Sequence, residues 1–144
     1  MRLRSITVAL AMALGLGAAG AQTPSDDTLY RDFGGMPGLV RLMDDLWGRL
    51  ISDPHLQQFF KDVKPDHLKA ELVTQFCELA GGPCRRRGPD MKKAHAGVDI
   101  TKADFNKLVE LLQDSMDAQG IAFPVQNRML AMLAPMHRDI VNAP

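Results

Sequence analysis

Four histidines and two cysteines carry most of the side-chain chemistry open to this chain: His55, His67, His95 and His137, with Cys77 and Cys84. Two histidines four apart on one helix face, or a Glu-x-x-His step, would signal a zinc or di-iron centre. Neither spacing occurs. A Gly-x-Ser-x-Gly elbow, a phosphate loop and a dinucleotide fingerprint are also missing from the sequence. What remains is the chemistry of single imidazoles. His95 has the most suggestive surroundings: it follows Met91-Lys92-Lys93-Ala94 and precedes Ala96-Gly97. To serve as a ligand, it needs apolar walls on both sides of whatever it binds. Met91 and Phe105 are candidates for the near wall, and Leu68, Leu72 and Phe76 for the far one. By periodicity alone, a surface histidine is the simpler reading.

The elements that must position these residues are helical throughout, and no window alternates with period two. Gly34-Gly35 ends a short first helix. From Met36 to Ile51, Leu39, Leu42, Met43, Leu46, Trp47 and Leu50 fall on one stripe at steps of three and four. Asp53-Pro54 is a cap followed by a first-turn proline, opening a brief turn that runs to Phe59-Phe60. Pro65 opens the next helix, striped with Leu68, Leu72, Phe76 and Leu79 and stopped by Gly81-Gly82-Pro83. Arg85 to Pro89 reads as a solvated loop, and Asp90 to His95 as a stub of one or two turns. Thr101 with Asp104 has the form of a capping box. It opens a helix carrying Phe105, Leu108, Val109, Leu112 and Met116, and Gly120 stops that helix. Pro124 starts a last helix with Leu130, Leu133, Met136, His137 and Val141.

Length and charge narrow the class. A chain of 144 residues suits one domain with one core. Seventeen basic residues balance seventeen acidic ones, without the basic excess expected of a nucleic-acid binder. The nine methionines are soft core filling in the ordinary case, and they also suit a large flat apolar ligand. Residues 1–21 read as a signal peptide: Arg2 and Arg4, an apolar run from Ile6 to Leu16, and Ala19-Gly20-Ala21 as the cleavage site. Residues 22–28 read as a flexible leader and 29–144 as the domain. Removing the two arginines leaves 15 basic against 17 acidic residues, a net charge of −2. The expectation is an exported, periplasmic protein that is free of the membrane after cleavage. In an oxidising compartment, Cys77 and Cys84 are expected to pair.

From Tyr30 to Val141 the sequence resembles the truncated haemoglobins of group I. The motifs are Leu29-Tyr30 with Phe33-Gly34-Gly35, then Asp53, Phe59-Phe60, Gly81-Gly82-Pro83, Met91 to His95, and Phe105, in order and without insertions from Phe33 to Phe105. The resemblance implies an all-α, two-over-two helical sandwich around haem b. It makes His95 the proximal iron ligand, imidazole being a common axial ligand. The haem contacts it implies are Phe59 and Phe60, Leu68, Leu72 and Phe76, and Met91, Phe105 and Leu108. Leu108 stands where the other groups usually carry tryptophan. On the distal side the family's usual Tyr and Gln fall on Trp47, Leu68 and Leu72, giving an apolar pocket in which only the Trp47 indole could donate a hydrogen bond. Glu71 takes the place where some members carry a second histidine ligand. His67 is expected to meet a haem propionate. His137 matches a histidine that in some members bonds covalently to a haem vinyl.

The function implied is reversible binding of a diatomic gas (oxygen, nitric oxide or carbon monoxide) at five-coordinate iron. One alternative is an enzyme acting on nitric oxide or peroxide, which would need an electron donor that the chain does not contain and, for peroxide, a distal acid–base group. Another is electron transfer by six-coordinate haem, with His67 or a methionine such as Met43 as the second ligand. A colourless helical interaction module is the reading without haem.

Overall fold

The computed structural model describes residues 26–144. The expected signal peptide and the first part of the leader lie outside the described residues. Helix α1 spans Thr28–Asp32. Asp26 Oδ1 accepts from the Thr28 amide at 3.0 Å, which satisfies one of the first-turn donors. Helices α2 (Gly35–Ser52) and α3 (Pro65–Leu79) pack on each other. A single 3-10 turn, Gln57–Phe60, lies between them in sequence. The stub α4 (Met91–Ala94) precedes α5 (Lys102–Ala118), which packs on α2. Helix α6 (Phe123–Leu133) packs on α3 and α1. No strand occurs among the described residues.

The periodic stripe of α2 becomes the centre of the core. Leu39, Leu42, Met43, Leu46 and Leu50 are buried there, with Met116 of α5 and Met129 of α6 against them. Full burial of one such side chain is worth about 1.5–3 kcal/mol. Met129, Met116 and Met43 therefore act as packing.

Local chemistry sets the ends of the elements. Asp53 Oδ1 accepts from the His55 and Leu56 amides, both at 2.9 Å, and turns the chain out of α2. Gly81 has φ +82°, and a Cβ there would lie 2.2 Å from the Asp26 carbonyl oxygen, so only glycine closes α3 against the start of the domain. Cys77, buried on α3, bonds to Cys84 across this glycine turn, as expected for the pair.

The last helix departs from the expectation. It stops at Leu133, continues as a 3-10 turn over Ala134–Met136, and ends as the short α7 (His137–Ile140). Pro135 explains the break: it has no N–H for the helical ladder, and its ring crowds the carbonyl of the preceding turn.

Thr101 and Asp104 form the expected capping box at the start of α5. The Asp104 amide donates to Thr101 Oγ1 at 3.2 Å, and the Thr101 amide donates to Asp104 Oδ2 at 2.8 Å. Asp104 is buried, and His55 Nε2 stands 2.6 Å from its other oxygen. The bond from the Thr101 side chain, with His55 adding its attraction, holds the Asp104 carboxyl below its ordinary value of 3.8. A folded-state value lower than the unfolded one stabilises the fold above that pH and loses the effect as pH falls through it. Thr101→Ala should therefore cost about 1 kcal/mol at neutral pH. The difference should shrink in acid, and urea midpoints of both proteins at neutral and strongly acid pH check this.

Candidate functional site

A cavity of about 820 Å³ opens between α3 on one side and α4, α5 and α6 on the other. This is within the range of cofactor pockets. His95 is on its wall, at the C-terminal end of α4. Asp90 caps that stub by accepting from the Lys93 amide at 2.8 Å, and this makes a four-residue helix viable.

The ring of His95 is oriented by the stub itself. Its Nδ1 lies 2.8 Å from the Met91 carbonyl oxygen. A carbonyl only accepts, so Nδ1 carries the proton, and in the neutral ring Nε2 keeps its lone pair. This is the arrangement that fixes tautomer and ring plane in a metal-ligating histidine. The backbone is held as well. The His95 carbonyl accepts from Asn142 Nδ2 at 2.7 Å. Asn142 Oδ1 in turn accepts from the Ile100 amide at 2.7 Å, and Ile100 O accepts from the Asn142 and Ala143 amides. Asn142 was not identified as a site residue in the sequence, because a terminal asparagine has no periodic signal.

Most of the expected wall is present. Met91, Phe105 and Leu108 line the cavity on the side of His95 in sequence, and Leu68, Leu72 and Phe76 come from α3. Phe59 and Phe60 contribute from the turn after α2. The face that α3 presents is wider than its apolar stripe. Positions 68, 71, 72, 75 and 76 all reach the cavity, so Glu71 and Gln75 stand on its wall. This corrects the expectation of a purely apolar far side without Gln. Gln75 is 9% exposed, and its Nε2 donates to Met136 Sδ at 3.2 Å, a weak acceptor. Arg86 also lines the cavity, so the loop Arg85 to Pro89 is part of the wall and not simply a solvated connection.

Four other residues are placed differently. Trp47 is off the cavity wall: its ring stacks edge-on against Phe60 with centroids 5.8 Å apart, and it is half-buried. This position of the α2 stripe thus braces a wall residue and does not face the space. His67 is exposed on α3 and off the wall, one position round the helix from Leu68. His137 is also off the wall; its ring meets Phe105 edge-on at 4.8 Å, while Met136 and Ile140 beside it line the cavity. Met43 is buried in the core away from the cavity.

A single imidazole with a free Nε2, facing a large apolar cavity inside a small helical sandwich, defines a globin-like site. The comparisons agree. The bacterial-like globin family matches residues 28–142, and the chain belongs to that family. It is similar to the group 1 truncated hemoglobin GlbN of Mycolicibacterium paratuberculosis, 28% identical over 113 residues that cover 78% of this chain and 83% of that one. It is also similar to GlbN of Nostoc sp., 26% identical over 80% of this chain and 98% of that one. In structure it resembles the truncated hemoglobin of Tetrahymena pyriformis, with a TM-score of 0.76 at 22% identity, covering 79% and 97% of the two chains. The all-α truncated-globin fold expected from the sequence is the fold observed. A further structural relative, the 2/2 hemoglobin of Synechococcus sp. PCC 7002, matches with a TM-score of 0.74 at 18% identity over 79% of this chain and 98% of that one. It is described with covalently attached heme.

Proposed function

We propose that the cavity holds haem b through His95 Nε2 and that the protein reversibly binds a diatomic gas on the opposite face. The observation that carries this reading is the His95 Nδ1–Met91 bond, which leaves the other nitrogen available beside the cavity. Bound haem supplies an iron that takes one small ligand opposite the histidine. The chain does the rest: the apolar walls exclude water, and Arg86 is the cation on the wall suited to a propionate, a role the exposed His67 is poorly placed to take. Neither His67 nor Met43 lines the cavity, and the Sδ of Met136, which does line it, accepts from Gln75, which supports five-coordinate iron over a six-coordinate carrier. Export to the periplasm, the signal peptide that would direct it, and an unidentified electron donor belong to the same proposal.

The test is the optical spectrum of the reduced, haem-loaded protein with and without carbon monoxide. A shifted haem band supports the reading, and a protein that takes up no haem rejects it. Acid–acetone extraction of the same sample tests the His137 link: complete removal of haem rejects it, and haem that stays with the wild type but leaves His137→Ala supports it.

Gln75 is the side chain best suited to donate a hydrogen bond to bound oxygen, because its present acceptor is a thioether. Such a bond is worth about 1–1.5 kcal/mol, so Gln75→Leu should speed oxygen release by about tenfold. Carbon monoxide release should change little. Flash photolysis and stopped-flow displacement measure both, and an unchanged oxygen rate removes Gln75 from this role.

Glu71 on the wall favours a second reading, turnover of peroxide, because it supplies the acid–base group that leucines alone do not. Peroxide consumption by the ferric protein that does not fall in Glu71→Leu counts against it.

A further inference from the structure

The run Arg85-Arg86-Arg87 was a solvated loop in sequence, and the fold gives it a place. Residues 85–93 hold five cations and one carboxylate, a formal +4 within nine residues. The rest of the described chain holds ten cations against sixteen carboxylates, a formal −6. The segment is also part of the site: Arg86, Pro89 and Met91 line the cavity, and His95 follows two residues after Lys93. Arg85, Arg87, Lys92 and Lys93 are exposed around these wall residues.

The start of the segment is held in place, and its charges are left largely unneutralised. The Cys77–Cys84 disulfide anchors the segment's start to α3. The Arg86 amide donates to Glu78 at 3.0 Å, and the Arg86 guanidinium donates to the Pro89 carbonyl. Arg85 Nη1 donates to the carbonyls of Cys84 (2.5 Å) and Gly82 (3.4 Å). Among the described residues, the one ion pair of the segment is Lys93 with Asp90 at 4.0 Å. Glu71 is nearby and makes no ion pair within that distance. A localised positive patch on an otherwise negative molecule makes a strong dipole. Such a dipole orients an approaching partner and raises its encounter rate in a salt-dependent way.

From this placement we propose that residues 85–93 are the docking surface for an acidic one-electron carrier protein, which reduces the iron held by His95. The proposal rests on the haem reading above. In the step, one electron leaves the carrier's redox centre and one ferric iron becomes ferrous; no atom is transferred. An acidic face on the carrier matches the patch, whereas a basic carrier would meet the exposed Arg85, Arg87, Lys92 and Lys93 at the edge that holds His95. Charge repulsion from the remaining −6 steers an acidic partner away from the other faces.

The experiment follows reduction of the ferric, haem-loaded protein by stopped flow under carbon monoxide. The protein probe is a reduced plant-type [2Fe–2S] ferredoxin, chosen as an acidic one-electron carrier. The small-molecule probes are the ferrous EDTA anion and the hexaammineruthenium(II) cation. The charge-reversed variant Arg87→Glu/Lys92→Glu/Lys93→Glu leaves Arg86, the disulfide and His95 in place. At low salt, ferredoxin should reduce the wild type about tenfold faster than the variant, and added salt should remove the difference. The EDTA complex should follow the same trend and the ruthenium cation the reverse. Matching carbon monoxide spectra of the two proteins confirm that both are folded and loaded. Rates that ignore salt and the charge reversal overturn the proposal while leaving haem binding intact. A response of the small anion without one of ferredoxin also overturns it, as does binding to anionic phospholipid vesicles in place of ferredoxin. Failure to take up haem in both proteins is a failure of the underlying reading.

Discussion

His95→Gly should lose its haem under conditions where the wild type retains it. Groups that only orient a metal ligand are worth about 10–100-fold in affinity, so loss of the ligand itself should exceed about 100-fold. The Met91 carbonyl that holds the ring would remain, and so would the apolar walls. Added imidazole should therefore enter the space left by the side chain and restore the carbon monoxide band of the reduced protein. Haem transfer to an apo-globin acceptor, with and without imidazole, measures both effects. Unaltered haem retention in the variant would remove His95 as the ligand and direct attention to His137, whose ring packs on the wall residue Phe105. The thermal stability of the haem-free variant should match that of the haem-free wild type closely. The side chain is half-exposed, and its protein hydrogen bond is local to α4.

Cys77→Ser/Cys84→Ser should lower stability by about 2.5 kcal/mol and the melting temperature by about 10 °C. The pair closes a loop with a sequence separation of seven, so the entropy removed from the unfolded chain is modest. Cys77 is completely buried, and burial of a serine hydroxyl there adds to the cost unless it finds a partner. The same variant should loosen the loop that carries Arg86. Glu78 and the Gly82 and Cys84 carbonyls are the other contacts that hold it to the end of α3. Chemical denaturation gives the stability, and amide exchange of residues 84–90 gives the local effect. A fall in stability with unchanged exchange at Arg86 would show that the Glu78 bond alone places the loop.

The helical period reveals which residues of α2 face inward because that face is buried against other helices along its length. Leu39, Leu42, Met43, Leu46 and Leu50 were all visible in this way. The capping box of Thr101 and Asp104 was visible because a cap depends on neighbours within one turn. Most of the α3 stripe and the stub before His95 were legible for the same reasons. The motifs from Phe33 to Phe105, taken together, raised His95 above a surface histidine.

Glu71, Gln75 and Trp47 show where such reasoning stops. A hydrophobic stripe marks the part of a helix that is apolar, whereas a cavity is lined by whatever part faces it. On α3 that part spans five positions, two of them polar: Gln75 is buried with Met136 Sδ as its acceptor, and Glu71 keeps partial exposure. Trp47 is on the α2 stripe, but its ring is turned onto Phe60 by packing, and no local rule sets that contact. Arg86 and Asn142 lie outside any period. The disulfide and Glu78 bring the first to the wall, and hydrogen bonds to Ile100 bring the second under His95.

Whereas His95 stands out only through the family motifs taken together, the helices, their caps and the pairing of Cys77 with Cys84 follow from residue types and short spacings. They depend on interactions within a few turns of chain. The direction of the His95 ring is set within α4 by the Met91 carbonyl, whereas the polarity opposite it and the placement of the positive rim beside the cavity depend on contacts between segments far apart in sequence. Those contacts form only when α3, the loop after it and the C-terminal residues close around one cavity. Ligand preference and choice of partner depend on that closure, because both are set by groups that no single helix brings together.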